Sequence, residues 1–141
     1  MSLYDQDFYQ WTQEQAGLLK AGALSQLDIA NLIEEIESMG RSEKRELVNR
    51  LAVLIAHLLN WGFQSERRSR SWQNTIRIQR IDIRGVLKDS PGLKHCFNEA
   101  IDSAYEKAMV LSADETGLPE SAFPEVCPYT IEQIMGDTAQ Q

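Results

Sequence analysis

The chain has 141 residues, of which 43% are apolar and 25% are charged, and its formal net charge is −7. This size and composition are typical of one globular domain and do not indicate disorder. There is no apolar run of about 18 residues and no basic, apolar leader, so we expect a cytoplasmic protein without a transmembrane helix or signal peptide. Cys96 and Cys127 lack metal-ligand spacing, which favours buried thiols in a reducing compartment.

Charge is unevenly distributed along the chain. Residues 67–95 hold eight basic and two acidic residues, a net of +6, whereas residues 1–66 carry −5 and residues 96–141 carry −8. The acidic total argues against tight binding to duplex nucleic acid, because such affinity comes largely from phosphate neutralisation. The asymmetry predicts that the basic segment meets acidic partners, either within the fold or outside it.

Two helices are predicted in the first 40 residues. Apolar residues recur near helical period from about Asp7 to Ala21, and Gly22 follows as a stop signal. A second amphipathic pattern runs from about Leu27 to Met39, and Gly40 is its expected C-terminal cap. The apolar stripe of this second helix has five members: Ile29, Leu32, Ile33, Ile36 and Met39.

The next two helices have clear start signals. Ser42 is a suitable N-cap for a third helix that ends near Gly62 and presents Leu47, Leu51, Leu54, Ile55 and Leu58 on one face. A fourth helix is predicted from Ser69 or Ser71 to about Asp89. Its apolar face comprises Trp72, Ile76, Ile83 and Leu87, and Gln79 interrupts that face.

A fifth helix and a tail complete the predicted fold. Ser90 and Pro91 are the expected N-cap and first residue of a helix to about Ala113, whose apolar face is Leu93, Phe97, Ala100, Ile101, Ala104, Ala108 and Leu111. Three prolines then predict an extended segment packed through Leu118, Phe123, Val126 and Tyr129, before a short helix capped by Thr130. We therefore expect an all-α, single-domain bundle of about five helices over residues 3–135, with an extended Pro-containing C-terminal tail and a flexible end at 136–141.

Several stretches of the chain resemble a known family. They are LYDQDFYQW at 3–11, NLIEEIESMG at 31–40, HLLNW at 57–61, RSRSW at 68–72, LKDSP at 87–91, and ETGLP at 115–119 with FP at 123–124. In this order they are similar to the bacterial domain-of-unknown-function family 29, and the likeness covers about residues 3–135. The resemblance implies a compact all-helical bacterial domain. It transfers no catalytic residue, since the family has no assigned activity.

A candidate polar cluster comprises Glu34, Glu37, His57, Arg77 and Arg80. A half-buried His57 beside paired carboxylates suits a general base or a metal ligand, although a helix-interface histidine and a solvated or ion-paired carboxylate face are the simpler interpretations. The Glu-x-x-His, His-x-x-x-His and Cys-x-x-Cys spacings of metal sites are absent. We therefore expect neither a metal nor a cofactor.

A basic stripe on the fourth helix is the second candidate site. Arg77, Arg80, Arg84 and Lys88 are spaced by three and four residues. Together with Arg67, Arg68 and Arg70 upstream, residues 67–88 are able to bind single-stranded nucleic acid if Trp72 stacks on a base. Because Trp72 is in register with the apolar face, we favour a core position for it and pairing of Arg77 and Arg80 with Glu34 or Glu37.

Ile78 and Ile81 point away from the apolar face of the fourth helix, and they form a candidate interface. The leading functional hypothesis is a non-catalytic interaction or regulatory module that binds another protein or a second copy of itself. A small enzyme using His57 with Glu34 or Glu37 is the first alternative. A nucleic-acid binder through residues 67–88 is the second alternative, which the charge balance disfavours. We expect no membrane association.

Overall fold

A computed structural model describes residues 2–136. Within them the chain forms six α-helices and no β-strand, which confirms the all-α prediction. They are α1 (Leu3–Gln6), α2 (Phe8–Lys20), α3 (Ile29–Phe63), α4 (Arg70–Asp89), α5 (Phe97–Thr116) and α6 (Ile131–Met135). The chain divides into two compact units, Met1–Ser42 and Glu43–Gln141. The predicted flexible end at 136–141 lies outside the described residues, apart from Gly136.

The N-terminal unit contains an aromatic cluster on its first two helices. The short helix α1 was not predicted, and Asp7, whose carboxylate accepts from the amide of Gln10, separates it from α2. Tyr4 meets Trp11 edge-on at 4.8 Å between ring centroids, and Phe8 stacks on Trp11 at 5.6 Å. Such ring pairs stabilise a fold beyond the area that they bury, so they secure α1 to α2.

Asp28 organises the start of α3. Its carboxylate accepts from the indole of Trp11 at 2.9 Å and from the backbone and side-chain amides of Asn31, while its own amide donates to the buried side chain of Gln15. The hydrogen bonds from Asn31, and then that from Trp11, lower the pKa of Asp28. One carboxylate therefore ties α2 to the first turn of α3.

The predicted break between the second and third helices is wrong, because α3 is continuous from Ile29 to Phe63. A glycine ends a helix when it adopts the left-handed conformation, as Gly22 and Gly117 do here, but Gly40 does not. Ser42 likewise lies inside the helix instead of capping it. A glycine in a helix interior costs roughly 1 kcal/mol relative to alanine, which the long run of helix-forming neighbours offsets.

The C-terminal unit has a large apolar core. Leu47, Leu51, Leu54 and Leu59 of α3 are fully buried in it. The neighbouring helices contribute Ile76, Ile83, Phe97, Ala100, Ile101, Ala104, Tyr105 and Ala108. Alanines on α5 leave little side chain between helix backbones, so they allow α5 to pack closely. Of the predicted α5 face, only Leu111 is wrong, since it is exposed.

The helix starts in the C-terminal unit follow their predicted signals with one shift. Ser69 caps α4 by accepting from the amide of Trp72 at 3.1 Å. Pro91 occupies the first position after Ser90, but residues Pro91–Cys96 form a 3₁₀ segment and the α-helix begins only at Phe97. The six-residue 3₁₀ stretch is longer than is usual for this geometry.

The tail packs mainly through its aromatic residues. Phe123 is buried, whereas Val126 is exposed, so the prediction that Val126 packs is wrong. The Tyr105 hydroxyl donates to the carbonyl of Pro124 at 2.6 Å, which holds the extended segment on α5. Thr130 caps α6 as predicted, and it forms a reciprocal capping box with Gln133.

Candidate functional site

The predicted polar cluster is divided between the two units. Glu34 accepts from the guanidinium of Arg41 at 3.1 Å on an exposed surface, and Glu37 is exposed. Both carboxylates belong to the unit Met1–Ser42, whereas His57, Arg77 and Arg80 belong to Glu43–Gln141. Pairing of the two arginines with these carboxylates therefore stays a prediction, as does an enzyme site that uses them.

His57 has a main-chain partner on its own helix. Its Nδ1 lies 2.9 Å from the carbonyl oxygen of Val53, one turn earlier in α3, and the side chain is half-buried. Since a carbonyl only accepts, this nitrogen is the one that carries the proton. This contact fixes the ring, and no carboxylate of residues 2–136 forms a hydrogen bond or ion pair with it.

Arginines at the start of the basic segment bind the ends of other helices. Arg68 donates to the carbonyl of Trp61 at 2.8 Å, and its guanidinium lies 4.7 Å from the centroid of the Trp61 ring. Arg67 donates to the carbonyl of Thr116, the last residue of α5, at 3.0 Å. The last carbonyls of a helix lack intrahelical partners and carry its negative dipole end, so arginine satisfies both needs.

Two arginines of α4 likewise bind main-chain carbonyls at the end of α6. Arg80 donates to the carbonyls of Ile134 and Gln133 at 2.9 and 3.0 Å, and Arg84 donates to the carbonyl of Met135. The following residue, Gly136, adopts a left-handed conformation with φ of 74°. The basic segment thus makes contacts with main-chain oxygens that sequence inspection missed, because no sequence pattern shows which helix end lies beside which arginine.

A cavity of about 680 Å³ opens beside these arginines, entirely within the C-terminal unit. Its lining comprises Leu58, Trp61, Gly62, Gln73, Ile76, Arg77, Arg80, Ile81, Arg84, Tyr129, Gln133, Met135 and Gly136. Three arginines and no aspartate or glutamate are present in that set. The cavity therefore combines a positive rim with apolar walls, and His57 is not part of it.

Tyr129 supports one wall of the cavity. Its hydroxyl donates to the carbonyl of Leu58 at 3.0 Å, which joins the tail to α3. Burial raises the pKa of Tyr129 to about 12, so the phenol stays neutral at physiological pH. It acts there as a fixed donor that is not available for acid–base chemistry.

Trp72 is a core residue, as its register predicts. It is 5% exposed, and its indole nitrogen donates to Glu115 at 3.3 Å. A ring in this position presents no face to solvent, so it offers no platform for stacking on a base. The nucleic-acid alternative loses the aromatic residue on which it depended.

The N-terminal half of α3 carries an exposed apolar face that we did not predict. Ile29, Ile33, Ile36 and Met39 are each more than half exposed. They follow spacings of four, three and three residues, so they form one line along the helix. All four residues belong to the apolar stripe that the sequence pattern predicts, and that pattern does not indicate whether the stripe is covered.

Ile78 and Ile81, the predicted interface on α4, are also exposed, at 54% and 56%. Ile81 lines the cavity, and Ile78 is not among its lining residues. This pair has fewer exposed apolar residues than the α3 stripe, and whether it makes an interface stays a prediction.

Other kinds of site are not evident in the described part of the chain. Among residues 2–136, no three His, Cys, Asp or Glu side chains are grouped so as to hold a metal ion. None of the described helices is both long enough and apolar enough to cross a membrane. Cys96 and Cys127 are free and half-buried.

Comparison with known proteins adds a family to this geometry. A family model described as "Domain of unknown function DUF29" matches residues 3–138. The chain belongs to the DUF29 family. No curated protein and no solved structure matches it. The DUF29 assignment confirms the suspected resemblance over nearly the whole chain, and it leaves the function to be argued from the exposed surfaces and the cavity.

Proposed function

We propose that this DUF29 chain is a non-catalytic interaction module that docks through the exposed α3 face, and that its partner is a second copy of the same chain. The observation that carries the proposal is the line of Ile29, Ile33, Ile36 and Met39 on the surface of the N-terminal unit. Single exposed apolar residues are ordinary, but a contiguous apolar stripe on a helix is typical of a surface that another helix covers.

The other side of the same helix segment is already occupied within the N-terminal unit. Glu35 accepts from the Tyr4 hydroxyl at 2.5 Å, and Asp28 accepts from Trp11 at 2.9 Å. These contacts fix the start of α3 and leave Ile33 and Ile36 outward. Docking would therefore bury apolar surface without disturbing the contacts that hold the unit together.

The apolar line favours a second copy of the chain, because a two-fold pair of antiparallel helices sets the same face of each copy against the other. A pair centred between residues 37 and 38 sets Ile36 against Met39 of the second copy. The face is thus complementary to itself in apolar surface.

Sedimentation velocity over a dilution series tests the proposal. The wild-type chain should show a concentration-dependent dimer, and Ile36→Glu should sediment as a monomer, because docking would bury an unpaired carboxylate. Val110→Glu is the matched control, since Val110 is an aliphatic residue on α5 that is also more than half exposed. A wild-type chain that is monomeric at every concentration, or an Ile36→Glu variant that still dimerises, would overturn the proposal.

One further variant distinguishes the docking surface. If Ile78→Glu abolishes dimerisation and Ile36→Glu does not, the interface is the α4 face and the α3 proposal fails.

The same proposal includes a cellular setting and a domain extent. The free thiols of Cys96 and Cys127 suit a reducing compartment, and the DUF29 resemblance suggests a bacterial protein, so we place the module in the bacterial cytoplasm. We treat residues 3–135 as one helical domain. A single cooperative urea transition reported by both tryptophan fluorescence and circular dichroism would support that extent, whereas two separate transitions would contradict it.

A further inference from the structure

We propose that the cavity of the C-terminal unit binds a small amphipathic anion, with its acidic head group at Arg77 and its apolar body against the walls. This inference is independent of the docking face, which belongs to the N-terminal unit. It supplies the DUF29 chain with a ligand class, namely an aliphatic or aromatic compound that ends in a carboxylate or phosphate.

The size of the cavity suits such a ligand. Small-molecule pockets in proteins occupy roughly 300–1,000 Å³ and are mostly apolar, with a few placed polar groups. The cavity measures about 680 Å³. Its apolar side chains are Leu58, Trp61, Ile76, Ile81 and Met135. These walls can accept a chain or ring that would otherwise expose apolar surface to water.

The charge of the lining selects an anion. Arg77, Arg80 and Arg84 all line the cavity, and no carboxylate is among the lining residues between positions 2 and 136. Arg77 is exposed at the rim, and its guanidinium makes no hydrogen bond or ion pair with any residue between 2 and 136. A guanidinium presents several donors in a plane, which matches the oxygens of carboxylate and phosphate groups.

Arg80 and Arg84 hold one wall of the cavity in position. The carbonyls of Gln133, Ile134 and Met135 orient Arg80 and Arg84 against the end of α6. Their contacts hold the wall that carries Met135, and their positive charge adds to the field at the rim. A preorganised wall of this kind reduces the ordering cost of binding. Because Arg80 and Arg84 already bind the end of α6, Arg77 is the group that we expect to contact the head group directly.

Isothermal titration calorimetry of the full chain with decanoate tests the site, with decyl phosphate and decanol as companion probes. Decanoate or decyl phosphate should bind at one site per chain, and Arg77→Gln should weaken that binding about tenfold to a hundredfold, the loss expected for a charge-assisted contact. Arg70→Gln is the matched control, because Arg70 is an exposed arginine on the same helix that does not line the cavity.

The companion probes and a cavity-filling variant distinguish the contribution of the head group from that of the apolar walls. The stronger of the two anions identifies the head group, and decanol should bind weakly with no dependence on Arg77. Gln73→Trp should fill the cavity and abolish binding while the circular dichroism spectrum stays that of the wild-type chain. Binding that is equal in Arg77→Gln and the wild type, or that survives Gln73→Trp in a folded protein, would overturn the proposal, as would the absence of saturable binding for both anions.

Discussion

The two halves of α3 carry the same apolar spacing and have opposite environments. Ile36 and Leu54 are eighteen residues apart, which is five turns of an ideal α-helix, so they fall at the same point in the apolar periodicity of the sequence. Leu54 is 0% exposed within the core of the C-terminal unit, whereas Ile36 is 62% exposed. The comparison teaches that an amphipathic pattern predicts a face that requires cover, and that it does not identify what provides the cover.

The two units are also stabilised by different kinds of interaction. The C-terminal unit is held by a large apolar core, whereas the N-terminal unit relies on the aromatic cluster of Tyr4, Phe8 and Trp11 and on the hydrogen bonds of Asp28. Apolar burial contributes to stability in proportion to area, and hydrogen-bonded junctions contribute orientation with a smaller net gain. Substitutions in the two units should therefore differ in both size and pH dependence.

The largest effect is expected at Trp72. Replacement with alanine removes a nearly fully buried ring and its hydrogen bond to Glu115, so Trp72→Ala should lower the free energy of unfolding by about 3–5 kcal/mol. Urea unfolding followed by circular dichroism measures the change. A loss below about 1 kcal/mol would mean that the ring is not in the core and would revive its role in stacking.

The paired substitutions Leu54→Ala and Ile36→Ala test the comparison itself. Leu54→Ala should cost about 2–5 kcal/mol because it leaves a cavity in the core. Ile36→Ala should change the stability by less than about 0.5 kcal/mol in dilute protein, because its site is at the surface. Equal losses at the two positions would show that the N-terminal half of α3 is buried within a single chain.

Replacement of two glycines by alanine should change the stability in opposite directions. Gly136→Ala should destabilise by about 1–2 kcal/mol, because φ is 74° and the new Cβ would lie 2.9 Å from the Arg80 guanidinium. Gly40→Ala should stabilise by about 0.5–1 kcal/mol, since Gly40 is inside α3 with open space around it. Thermal unfolding of both variants measures these changes, and a destabilised Gly40→Ala variant would restore the predicted break in α3.

The smallest effect is a pH dependence confined to the N-terminal unit. Because its hydrogen bonds lower the pKa of Asp28 in the folded state, the stability that it contributes is present above the unfolded value of 3.8 and is lost as the pH falls through the folded value. The indole proton resonance of Trp11, followed by NMR from about pH 5 to pH 2, should report this loss. The Asp28→Asn variant should lack the transition, and a wild-type resonance that does not change would contradict the role of Asp28.

Much of the fold could be predicted because its signals are local. The Ser69 and Thr130 caps, the core register of Trp72 and the first-turn position of Pro91 all depend on neighbouring residues. The continuity of α3 could not be predicted in this way, since Gly40 resembles a stop signal until its backbone conformation is known. The local pattern alone could not tell that this glycine remains helical.

The candidate site was predicted only in part, for a related reason. Arg77 and Arg80 belong to the predicted polar cluster and both line the cavity, but the partners of Arg80 include main-chain carbonyls at the end of α6. Carbonyl oxygens are present at every residue and leave no mark in the sequence. Carboxylates are visible in the sequence, which is why Glu34 and Glu37 were chosen as partners.

The most direct test of the central claim, that the exposed α3 face docks on a second copy, is cross-linking in a chain whose native cysteines, Cys96 and Cys127, are replaced by serine. Ile36→Cys in this background should form a covalent dimer with a short bismaleimide, because the proposed two-fold pair brings the two copies of residue 36 close together. Ile78→Cys is the matched control and should stay monomeric. Efficient cross-linking at residue 78, or none at residue 36 in protein that is folded and concentrated, would contradict the account.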